Sequence, residues 1–91
     1  MTEKRKGKNF ENDHALLQEL YSKLAGKQLK ELRQEKGLSQ EALAFEAGID
    51  QSKLSKIERL GPHSVSFDYL FRVARALNAI VEINIKSRRE L

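Results

Sequence analysis

Apolar residues recur along this chain at helical intervals in successive stretches, and at strand intervals in one. Leu16, Leu17, Leu20, Tyr21 and Leu24 follow Asp13, whose carboxylate can cap a helix over residues 13–24. A second stripe, Ala25, Leu29 and Leu32, is rotated against the first by roughly a third of a turn at 3.6 residues per turn. The pattern therefore predicts a break near Gly26, a second helix closing at Gly37, and burial of both stripes in the core. Ser39 then caps a short helix from Gln40 to Ala47, Gly48 supplies a tight turn, and Asp50 caps a helix running to about Arg59. Gly61 and Pro62 end that helix, and Ser66 opens another that packs through Phe67, Leu70, Phe71, Val73, Ala74 and Leu77. From Ala79 to Lys86 the period changes to two: Val81, Ile83 and Ile85 alternate with Glu82, Asn84 and Lys86, as a strand requires.

These elements predict one all-α bundle with one short C-terminal β-strand. Residues 1–12 read as a flexible basic arm, 13–78 as the helical domain with an extra N-terminal helix, and 79–91 as a strand and tail that dimerise. Ninety-one residues allow one small core. With no cysteine and two histidines, neither a disulfide framework nor a metal site is expected, and no cofactor is implied. His14 and His63 have no carboxylate or nucleophile at a catalytic spacing, so no enzymatic activity is expected either. The apolar runs are too short for a membrane span, which fits a cytoplasmic protein. Seventeen Lys and Arg against thirteen Asp and Glu give a net charge of +4 and a pI near 9.5, which suits a polyanion but does not by itself identify one.

The chemistry is concentrated on the helix after Gly48. Leu54 and Ile57 point one way on a 3.6-residue period, while Ser52, Ser55, Lys56 and Arg59 point the other. That free face holds hydroxyls, an amide and cations, the groups that hydrogen-bond base edges and phosphates. Small residues at Ala44 and Ala47 let the preceding helix approach closely. The stretch LSQEALAFEAGIDQSKLSKIERLG, residues 38–61, closely resembles the helix-turn-helix of the Xre family, which includes the phage repressors and Cro proteins. The likeness extends from LKELRQEKG, residues 29–37, through FDYLFRVARALN, residues 67–78.

The resemblance implies a lambda-repressor-like DNA-binding fold, with double-stranded DNA as partner. Base contacts map onto Gln51, Ser52, Ser55 and Lys56, and phosphate contacts onto Gln40, Lys53 and Arg59. Gln51 suits adenine and Lys56 guanine. Arg33 and Glu58 map onto a structural ion pair. Two positions depart from the family pattern. Asp50 puts negative charge near the expected phosphates, and Phe45 stands where a polar residue is usual, so the helix over residues 13–24 is expected to cover its ring.

The function implied is a sequence-specific transcriptional regulator, a repressor on a palindromic operator. The alternative is an antitoxin: LNAIVEINIK, residues 77–86, is similar to the C-terminal strand of HipB-type antitoxins, which would add a toxin as partner. In either case Val81, Ile83 and Ile85 are expected to pair with a second copy in a homodimer, packing near Phe71 and Leu77.

Overall fold

The computed structural model describes residues 2–87, with side chains from Asp13 onward. Helix α1 runs from Thr2 to Glu35, α2 from Gln40 to Ala47, α3 from Gln51 to Leu60 and α4 from Phe67 to Ala76, with a 3₁₀ turn at Pro62–Ser64. The bundle is all-helical, and among the described residues there is no strand. Leu29 of α1, Leu43, Ala44 and Ala47 of α2, Leu54 and Ile57 of α3, Leu70 and Val73 of α4, and Leu77 just after it form the core. The Ser39 hydroxyl accepts from the Ala42 amide at 3.0 Å and so caps α2. Gly48, at φ 70°, closes α2 by donating its amide to Ala44 and Phe45, and only a left-handed residue makes so short a turn into α3.

The expected break at Gly26 is absent: α1 passes straight through it. Ser22, Gly26, Leu29 and Arg33 form one buried stripe that lies on α3 and the 3₁₀ turn. A Cβ on Gly26 would stand 2.2 Å from the Ile57 carbonyl oxygen, and one on Gly61 would stand 2.0 Å from the Ser22 carbonyl. The two glycines are where helix crosses helix, so Gly26 serves backbone contact rather than termination. His63 is fixed at the same crossing, its backbone amide donating to the Ser22 hydroxyl at 3.1 Å and its Nδ1 also meeting that hydroxyl.

The two apolar stripes of α1 are reconciled by facing different ways. Leu16, Leu17, Leu20, Tyr21 and Leu24 are 49–67% exposed, so the expectation that they form core is wrong. Residues 2–12, expected as an arm, continue the helix. Once a helix is nucleated, each further residue adds a hydrogen bond, and Gly7 costs only about 1 kcal/mol against that propagation. Met1 of the expected arm and residues 88–91 of the expected tail lie outside the described residues.

After α4 the chain turns at Asn78, at φ 55°, with the Ala79 amide bonding back to the Ala74 carbonyl at 2.8 Å. Ala79 and Val81 pack on the core. Ile83 is 63% and Ile85 90% exposed, so only the first of the three expected strand positions is half-buried. One chain offers this segment no ladder partner, and a strand exists only with one.

Candidate nucleic-acid interface

Helix α3 is anchored by Leu54 and Ile57, both fully buried, with Glu58 buried beside them. Gln51, Ser52, Lys56 and Arg59 are exposed, with Ser55 half-buried among them. At 3.6 residues per turn these five fall within roughly 140° of arc. The outer face is thus one continuous strip of an amide, two hydroxyls and two cations, with no acidic side chain in its first turn. Lys53 stands outside this strip: it is half-buried, and its ammonium lies 5.3 Å from the centroid of the Tyr69 ring on α4. That cation–π contact holds the charge at the border between α3 and α4.

Asp50 has the extended backbone of a cap, and its carbonyl accepts from Lys53 and Leu54, but its side chain makes no capping bond. The carboxylate instead borders a cleft shared with Lys53, Asp68, Tyr69 and Arg72. Phe45 lines the same cleft and remains 87% exposed. The predicted cover is not there, because α1 packs against α3 and the 3₁₀ turn.

The interior side of the site is a polar network. Arg33 Nε donates to Glu58 Oε2 at 2.6 Å and Nη2 to Oε1 at 3.0 Å, with Arg33 8% and Glu58 6% exposed. Arg33 Nη1 also donates to the Leu38 carbonyl at 2.7 Å. The hydrogen bonds to Glu58 hold the guanidinium above the ordinary arginine range; burial pulls it down, and the attraction of the carboxylate adds to the rise. Gln40, which the resemblance assigns to a phosphate, donates its side-chain amide to Glu58 Oε1 at 2.9 Å. This third member was not foreseen, because spacing alone does not show that position 40 and position 58 meet. The network ties the end of α1 and the first residue of α2 to one carboxylate at the end of α3, and Arg33 adds the loop before α2 through the Leu38 carbonyl. At the start of α2 the Ala42 amide is taken by Ser39, while the amides of Gln40 and Glu41 have no helical acceptor.

Residues 29–80 match the Helix-turn-helix family model. The chain belongs to the Xre-like helix-turn-helix family. The HTH-type transcriptional regulator SinR of Bacillus subtilis (strain 168) is 34% identical over 67 residues, covering 74% of this chain. The chain spans 60% of the length of that curated relative. The crystal structure of the restriction-modification controller protein C.AhdI from Aeromonas hydrophila matches with a TM-score of 0.56 at 45% identity, covering 62% of this chain and 83% of that one. In this helix-turn-helix, α2 and α3 are the paired helices, Gly48 is the turn, and residues 2–28 of α1 precede the family match. Among the described residues no group of side chains could hold a metal ion, and no helix is long and apolar enough to cross a membrane.

Proposed function

We propose that this helix-turn-helix protein is a sequence-specific regulator of transcription that binds double-stranded DNA as a homodimer and represses by occupying a palindromic operator. The observation that carries this reading is the outer strip of α3, polar and cationic over its whole width and held from behind by the Arg33–Glu58–Gln40 network. In the major groove Gln51, Ser52, Ser55 and Lys56 reach base edges, while Arg59, Lys53 and the amides opening α2 meet phosphates. The printed descriptions of SinR as a transcriptional regulator and of C.AhdI as a controller protein support the same reading. A ribbon of two copies of Val81 to Lys86 would pair the backbone of the tail and set the recognition helices about 34–36 Å apart.

The test is selection from random duplex DNA. The expected result is enrichment of two-fold-related half-sites centred about 10 base pairs apart. Recovery of unselected sequence would overturn the reading. A second reading, an antitoxin that also binds a toxin, is favoured by the exposed apolar tail, with Ile80, Ile83 and Ile85 at 63–90% exposure. It requires a toxin reading frame beside the gene whose product copurifies with this chain.

A further inference from the structure

We infer that the outer leucine row of α1 is a self-association surface, on which α1 of a second copy lies antiparallel. This rests on the homodimer reading, but the row itself lies on α1 and meets the tail only at the groove beside Tyr21. The buried stripe Ser22, Gly26, Leu29 and Arg33 defines the inward face of α1. At 3.6 residues per turn, Leu16, Leu20 and Leu24 project roughly 150° away from it. They are 56%, 49% and 54% exposed, and Leu17 and Tyr21 flank them at 49% and 67%. A solvated helix has no use for five large apolar side chains on one outward face.

The row is continuous with further uncovered apolar surface. Tyr21 borders a groove lined by Ala25, Phe67, Leu70, Val81 and Ile83, and the Phe71 ring lies tilted beside that of Phe67 with centroids 6.4 Å apart. The charges select the direction of pairing. Glu19 and Lys23 flank the row on either side of its midpoint and bridge each other at 3.2 Å within the chain. An antiparallel copy sets this flank against the same flank of its partner and brings the glutamate of one helix toward the lysine of the other, whereas a parallel copy sets it against the Leu17 and Tyr21 flank and pairs neither charge. The row is self-complementary in the antiparallel sense, as a two-fold interface requires.

The full chain contains no cysteine, so single cysteines report distances directly. Leu20→Cys, near the axis, is expected to form a disulfide-linked dimer under mild oxidation. Glu31→Cys is exposed and lies about 16 Å further along α1 at 1.5 Å per residue, so an antiparallel pair keeps it from its copy and it should not cross-link. Cross-linking of Glu31→Cys would mean parallel pairing and overturn the proposal. Leu20→Glu is expected to weaken dimerisation by at least tenfold in sedimentation equilibrium while helicity and melting of the monomer are unchanged. A Leu20→Glu chain as dimeric as the parent, with no cross-link at position 20, sinks the row as an interface even if removal of the tail gives monomers. If instead truncation after Asn78 leaves the dimer intact and Leu20→Glu dissolves it, the tail ribbon fails and the row stands. A parent chain that is monomeric alone and pairs only with another protein overturns both.

Discussion

Glu58 accepts from Arg33 twice and from Gln40 once, so each deletion in this network leaves something different behind. Glu58→Ala strands a buried guanidinium with the Leu38 carbonyl as its remaining acceptor in the network, and is expected to cost about 3–5 kcal/mol in urea unfolding. Gln40→Ala removes one neutral donor from a pair that stays intact, and should cost only about 1 kcal/mol. The raised arginine value fixes the sign of the pH dependence. A cation whose folded value lies above its unfolded one contributes fully below the ordinary arginine range and is lost only above it. Unfolding midpoints should therefore show no loss from Arg33 between neutral pH and about pH 10. On the outer side of α3 the expected losses are in binding. Gln51→Ala and Lys56→Ala should each lower affinity for the selected site by about 1–3 kcal/mol in fluorescence anisotropy, and for random duplex by less. Unchanged affinity and preference in both variants would remove α3 from the groove.

At the scale of elements, Gly26 separates what local pattern shows from what only packing shows. Alanine there improves helix propensity by about 1 kcal/mol. It also drives a methyl group to 2.2 Å from the Ile57 carbonyl oxygen, and because the obstacle is backbone, overpacking of about 1–3 kcal/mol or more wins. Gly26→Ala is therefore expected to lower the urea midpoint, and a raised midpoint would show that α1 does not cross α3 there. The helix pair over residues 40–60 was legible in the sequence because its signals are local: Ser39, Gly48 and the 3.6-residue spacing of Leu54 and Ile57 act within a turn or two. Gly26 is ambiguous in the sequence because a glycine that ends a helix and one that admits a neighbouring backbone look alike there. The stripe at Leu16 to Leu24 is ambiguous for a related reason: periodicity reveals that a face is apolar, not what covers it. Lys53 at Tyr69 and Gln40 at Glu58 are contacts between elements distant in sequence, and no spacing rule encodes them.

The molecule as a whole is elongated, 53 × 28 × 19 Å, with a radius of gyration of 16.2 Å. A spherical domain of this length would come to about 12 Å, and α1, about 51 Å at 1.5 Å per residue, accounts for the excess. With a net charge of +4, DNA binding should fall steeply with salt, and Arg59→Ala should flatten the log–log slope by about one unit in a titration from 50 to 200 mM. A slope unchanged by that substitution would take Arg59 off the phosphates. Truncation after Asn78 is expected to loosen the dimer and weaken operator binding, as read by analytical ultracentrifugation and anisotropy; a fully dimeric truncated chain would remove the ribbon. The crossing of Gly26 over Gly61 gives α1 a fulcrum, with the reading head on one side and the leucine row on the other. In a dimer joined at Leu20, the lever from row to fulcrum is six residues, about 9 Å at 1.5 Å per residue. Four residues inserted between Leu24 and Gly26 would keep the row nearly in phase and lengthen each lever by about 6 Å, whereas two would swing it more than half a turn. Where the row, rather than the tail ribbon, joins the two copies, the spacing between operator half-sites is a length written in helical turns, and changing it should retune which DNA the protein prefers without altering one residue of the face that reads it.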